Sequence, residues 1–151
     1  MDPFATYLSE HAVPGAMLPP VASRFTIDMF GAGGVKTIHN DQEAAEREGL
    51  PAPIAVGPQV AALIFRMMRS ALCEGWISGG RCSLTFRRPT PVDVFAVARG
   101  VLKSKTPEAD GNVRLEFDVW VEIENGEKTI VGTASGIVPG SRGGAGETAR
   151  G

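Results

Sequence analysis

The chain has few of the residues that build disulfide scaffolds, metal centres or nucleic-acid surfaces. Its 151 residues include 2 cysteines and 2 histidines. Cys73, Cys82, His11 and His39 are too few and too badly spaced for a disulfide framework or a metal-ligand set, so neither a bound metal nor a cofactor is expected. Charged residues make up 21% of the chain, and 15 Lys and Arg against 17 Asp and Glu leave a net charge of −2. The basic residues occur singly or in pairs such as Arg87-Arg88, which excludes the electrostatic footprint of a nucleic-acid binder. Long hydrophobic runs are also missing. The longest, over residues 60–72, is broken by Arg66 and Arg69 and is too short to cross a bilayer. The opening Met1-Asp2-Pro3-Phe4 has neither the basic nor the apolar part of a signal peptide, so a soluble protein of the reducing cytoplasm is expected.

What the chain does have suffices for one core, since 43% of it is hydrophobic and its length fits a single domain. Pro3, Pro14, Pro19 and Pro20 mark residues 1–20 as an irregular lead-in with a helical turn near 5–11. The alternation Phe25-x-Ile27-x-Met29 predicts a half-buried strand over 24–30, ended by Gly31-Ala32-Gly33-Gly34. No Gly-Lys-Ser/Thr and no long helix follow those glycines, so they are not a nucleotide-binding loop. Residues 41–48 predict a two-turn helix, with Asn40 or Asp41 as N-cap and Gly49 beyond its end. Gly57-Pro58 then opens the main helix, over 58–74, whose apolar residues recur nearly all the way round. Such a helix must be wrapped on most sides.

The wrapping follows in the sequence. Runs over 81–87, 92–104, 113–124 and 129–138 are rich in β-branched and aromatic residues, and turns such as Asp110-Gly111 and Asn125-Gly126 lie between them. They predict four antiparallel strands. Leu115-x-Phe117-x-Val119-x-Val121-x-Ile123 alternates most clearly, and Trp120 on the polar face implies that this face is partly covered as well. Residues 140–151 lack any hydrophobic anchor and are expected to be a disordered tail.

Three segments carry a family resemblance: Ile38-His39-x-Asp41 with Ala44-Ala45, Gly49-Leu50-Pro51-x-x-Ile54-Ala55-x-Gly57, and Leu84-x-Phe86-Arg87-Arg88-Pro89-x-Pro91-x-Asp93. In this order they resemble the MaoC-like branch of the hot-dog superfamily, which includes the (R)-specific enoyl-CoA hydratases. The resemblance implies an α+β hot-dog fold over residues 21–139, a long central helix wrapped by a curved antiparallel sheet. In that family an Asp and a His of a Gly-Asp-x-Asn-Pro-Ile/Leu-His signature activate water. Matching Ile38-His39 to the signature puts Gly34 on the aspartate, Lys36 on the asparagine and Thr37 on the proline, so the carboxylate is absent. Gly57 falls where the family uses a helix-start N–H to hold the thioester oxygen as it becomes an enolate. A polar residue one to two turns into that helix is replaced by an apolar one such as Phe65.

On the residues themselves, His39 reads as a general acid/base or as a helix-start histidine bonded to Asp41 or to a backbone carbonyl. Asp41 reads best as an N-cap. Lys36 and Asp28 are the charged groups near enough in sequence to stand in for the missing carboxylate. Arg87 and Arg88 suit a ligand phosphate, a carrier protein's acidic surface or solvent. The expected function is a lyase, a hydratase or dehydratase acting on an acyl thioester or a related small carbonyl substrate, CoA- or carrier-protein-linked, with His39 and the Gly57 N–H as its catalytic groups. The alternatives are a repurposed single-base isomerase or cyclase of secondary metabolism, a non-catalytic hot-dog subunit paired with an intact hydratase, and a thioesterase. A homodimer or higher homo-oligomer is expected, because pairing protects an open strand edge.

Overall fold

Alternating burial along the fourth strand organises the molecule. The computed structural model of the chain describes residues 8–31 and 34–141. Strand β4 (Asn112–Ile123) buries Leu115, Phe117, Val119 and Val121 on one face and carries Glu116, Asp118 and Trp120 on the other. It lies between β3 (Phe95–Pro107) and β5 (Lys128–Pro139). With β1 (Val21–Arg24) and β2 (Arg81–Phe86) as edges, the five-stranded sheet has the order β1-β3-β4-β5-β2, antiparallel throughout. Lys128 holds its ammonium 4.5 Å from the centre of the Trp120 ring, so a lysine supplies the cover expected on that face.

The main helix, α2 (Gly57–Leu72), presses Val60, Ala61, Leu63, Ile64, Met67, Met68, Ala71 and Leu72 into the core. Each large side chain buried there contributes roughly 1.5–3 kcal/mol. The wrapping is less complete than the sequence predicts, because Phe65 remains 38% exposed. The helix also stops earlier than residue 74. Cys73 takes a φ of 48°, and a separate short helix, α3 (Glu74–Gly79), follows.

Two glycines make α3 a weak helix by propensity, and packing against β5 holds it. A Cβ on Gly75 would lie 1.7 Å from the Ile137 carbonyl oxygen, so only glycine permits the contact. The buried Arg114 donates to the Gly79 carbonyl at 2.8 Å and to Ser135 Oγ at 3.1 Å, and it pairs with Glu108.

One strand expectation is corrected here. The strand predicted over 24–30 is instead the end of β1 followed by a 3-10 turn at Ile27–Phe30. Ile27 and Met29 are 39% and 52% exposed, so their alternation with Phe25 marks no paired strand. Residues 8–18 form no helix or strand and pack against the sheet and α2. Leu8 and Leu18 belong to the core, and the Gly15 and Leu18 N–H groups donate to the Leu102 and Gly100 carbonyls at 2.7 and 2.9 Å. Ser141 donates from its N–H to Glu10 Oε2 at 2.8 Å and also bonds Glu10 through its hydroxyl. Residues 5–7 of the predicted helical turn and 142–151 of the predicted tail lie outside the described residues.

Candidate active site

The loop over residues 35–41 is shaped by its own side chains. Asn40 accepts from the Thr37 N–H at 2.7 Å and donates to the Phe30 and Val35 carbonyls at 3.2 and 2.9 Å. Asp41 caps the next helix, α1 (Gln42–Arg47), by accepting from the Ala44 N–H at 2.9 Å. The two candidate caps therefore divide the work: Asp41 starts the helix and Asn40 clamps the loop before it.

That clamp presents His39, whose ring rests near Phe30 with centroids 6.2 Å apart and planes tilted by 53°. His39 Nδ1 lies 2.8 Å from the Ile54 carbonyl oxygen, and the Ile54 N–H returns a bond to the Ile38 carbonyl at 3.0 Å. A carbonyl oxygen can only accept, so Nδ1 carries the proton. In the neutral ring Nε2 then keeps its lone pair and is free to act as a base.

The loop that fixes the histidine also delivers the start of α2. The Val56 carbonyl accepts from Gln59 and Val60 at 3.0 and 3.2 Å, and Pro58 has no N–H. The Gly57 N–H is left without an acceptor among the described residues, at the end of the helix where the dipole favours negative charge. A Cβ on Gly57 would lie 3.1 Å from the Phe86 ring, so glycine lets that ring close over the helix start.

His39, Gly57, Ile54, Val60, Phe86 and Thr90 line one cavity of about 260 Å³, bordered by the exposed Arg87 and Arg88. Among the described residues no carboxylate lines it. Of the residues picked from sequence, His39, Gly57, Arg87 and Arg88 thus meet at the cavity, and Asp28, Gly34, Lys36, Asp41 and Phe65 do not line it. Asp28 is exposed in the 3-10 turn, where hydrogen bonds from the Thr26 side chain and its own backbone hold its carboxyl below the usual range. Gly34 takes a φ of +72° with nothing within 4 Å of where a Cβ would sit. Lys36 lies 3.8 Å from Asp41 and is 70% exposed. Phe65 stacks on Trp76, ring centroids 6.2 Å apart, in a separate groove beside Arg66 and Arg69. The residue that lines the cavity one turn into α2 is Val60.

Sequence reasoning missed Thr90, although its place between Pro89 and Pro91 singles it out as a hydroxyl in a stiff turn. It quoted Phe86 without giving it a role. A second depression, of about 290 Å³ near Arg81, Lys103 and Glu116, offers neither a histidine nor a helix start. Among the described residues no group of three or more His, Cys, Asp and Glu is placed to hold a metal ion. None of the described helices is long and apolar enough to cross a membrane.

No family profile matches the chain, and no curated protein matches it. Solved structures do. A MaoC-like dehydratase from Rhodospirillum rubrum is 18% identical, with 85% of this chain and 94% of that one covered and a TM-score of 0.67. The (R)-hydratase from A. caviae involved in PHA biosynthesis is 16% identical over 87% of this chain and 99% of that one, also with a TM-score of 0.67. The HadBC complex from Mycobacterium tuberculosis, a 3R-hydroxyacyl-ACP dehydratase, matches at 16% identity over 85% of this chain and 98% of that one, with a TM-score of 0.60. The chain has the α+β hot-dog fold of the MaoC-like dehydratases and (R)-hydratases.

Proposed function

We propose that the chain is a MaoC-like hydratase/dehydratase, a lyase acting on an acyl thioester or a related small carbonyl substrate. The observation that carries the reading is the His39 hydrogen bond to Ile54, which leaves Nε2 free in the cavity that also holds the start of α2 at Gly57. In the hydration direction, Nε2 takes a proton from water and the water oxygen bonds to the β-carbon. The displaced π electrons move to the carbonyl oxygen, where the Gly57 N–H meets the enolate. The imidazolium then returns its proton to the α-carbon, and dehydration is the reverse. A single acid/base group contributes about 10²- to 10⁴-fold and a single oxyanion donor about 10²- to 10³-fold, so a slower enzyme without the carboxylate is physically reasonable.

Carriage of the substrate on CoA or a carrier protein, and a cytoplasmic location, belong to the same reading. So does a homodimer. β2 is an edge strand with five of its six residues exposed, and pairing with a second copy would cover it. A lining that, among the described residues, offers His39 but no carboxylate favours a second reading, an isomerase or cyclase that needs one base.

The test is to incubate the purified protein with a short trans-2-enoyl-CoA and follow the loss of conjugated enoyl absorbance, with His39→Ala as control. Turnover that disappears in the variant supports the lyase. No turnover, at concentrations where an intact (R)-hydratase is active, removes it and moves the weight to the single-base reading or to a non-catalytic subunit.

A further inference from the structure

Water addition needs more than a base, because the water must also be aimed at the β-carbon. Among the described residues no carboxylate of this cavity is available to aim it, and the two arginines on the border are exposed. Besides His39, the polar uncharged side chain in the lining is Thr90, which is 4% exposed.

Its surroundings hold it firmly. The Thr90 carbonyl accepts from the Ala55 N–H at 2.8 Å, and Pro91 bridges Ile54, the residue that orients His39. Thr90 is therefore stitched to the same loop as both proposed catalytic groups. Behind it, Thr90 Oγ1 lies 3.1 Å from Oγ1 of Thr129, whose residue is 0% exposed. The Thr129 carbonyl accepts from both the Arg87 and Arg88 N–H groups, at 2.8 and 3.3 Å, which fixes the turn that carries Thr90. When the Thr90 hydroxyl donates its proton to Thr129, its oxygen keeps lone pairs to accept from a water.

We infer that Thr90 is the positioning residue for the reacting water, accepting one of its hydrogens while His39 Nε2 takes the other. This rests on the lyase reading above. In dehydration the same oxygen receives the departing water. Thr90 forms no bond to substrate and exchanges no net proton. It supplies the second contact that a carboxylate would otherwise make.

Two substitutions separate positioning from mere packing. Thr90→Val keeps the shape and removes the hydroxyl. Thr129→Val breaks the same hydroxyl pair but keeps the threonine at position 90. With the short trans-2-enoyl-CoA as probe, Thr90→Val is expected to lower kcat roughly 3- to 10-fold with KM little changed, the effect of one hydrogen bond. Thr90→Ser should restore kcat to within about twofold, and Thr129→Val, which removes the acceptor but not the Thr90 oxygen, should lower kcat less than Thr90→Val does. Equal losses in Thr90→Val and Thr129→Val would make the pair structural and overturn the inference. Turnover that needs His39 but is unchanged in Thr90→Val would overturn the inference alone. Absence of turnover in the unsubstituted chain would overturn the lyase reading and this inference with it.

Discussion

His39 donates from Nδ1 to the Ile54 carbonyl at 2.8 Å, fifteen residues further along the chain. That bond settles which ring nitrogen carries the proton. It also predicts which substitution will separate structure from catalysis. His39→Asn places an amide N–H near the position of Nδ1 and removes the base. Thermal unfolding should show a Tm close to that of the unsubstituted chain, while turnover falls about 10²- to 10⁴-fold. A comparable fall in Tm and activity would show that the histidine acts through the fold.

Gly57 is held to its size by Phe86, 3.1 Å from the position of a Cβ. Because the Phe86 ring is half exposed, it can swing aside. Gly57→Ala should therefore cost little stability, keep the backbone donor and narrow the cavity. Steady-state kinetics should show a loss in kcat/KM that Phe86→Ala, added to it, largely restores. Failure of the second substitution to restore activity would place the loss in the helix start itself.

Gly34 stands where the resemblance expects the catalytic aspartate, at a φ of +72° with open space around it. Gly34→Asp should be tolerated at a cost of about 1–2 kcal/mol from the left-handed backbone, measured by urea denaturation. If the loop then brings the carboxylate to His39, enoyl-thioester hydration rises above that of the unsubstituted chain. Unchanged turnover in a folded Gly34→Asp protein would show that the loop no longer reaches the cavity.

Arg114 fastens α3 to the sheet through Gly79, Ser135 and Glu108. Arg114→Met fills its volume but removes those bonds. Hydrogen bonds to a charged donor are worth about 1.5–3 kcal/mol, so the unfolding free energy from urea denaturation should fall by an amount in that range. Turnover per folded molecule should not change.

Glu10 gives the pH-dependent case. Hydrogen bonds from the Ser141 side chain and backbone hold its carboxyl below the usual range. A depressed carboxylate contributes fully above the ordinary pKa of about 4.3 and loses its contribution as pH falls through the lower folded value. The Ser141 amide resonance should move with that titration on acidification, and Glu10→Gln should abolish the response.

The sheet and the main helix were legible in the sequence where local pattern and tertiary packing agree. Leu115, Phe117, Val119 and Val121 alternate and are buried on one face, and Gly57-Pro58 announces the helix that begins there. Legibility fails where a distant partner decides. Phe25-x-Ile27-x-Met29 alternates, yet no strand pairs with residues 27–29 and the backbone tightens into a turn. Gly75 and Gly79 weaken any local helical signal, so α3 exists by virtue of β5 and Arg114. In the candidate site, the neighbours of His39 suggested its role, but its bond to Ile54 depends on closing a loop. Two flanking prolines mark Thr90 in the sequence, but its hydroxyl partner is 39 residues away.

Glu10 and Ser141 touch, which brings two points distant along the chain to one corner of the domain. A short linker from Ser141 back to Leu8 would close the backbone into a ring. The chain could then be reopened at the exposed turn around Asn125-Gly126, giving a circular permutant that keeps every strand pairing and the His39 cavity. The order in which the elements leave the ribosome would then be a variable, separable from the architecture they build.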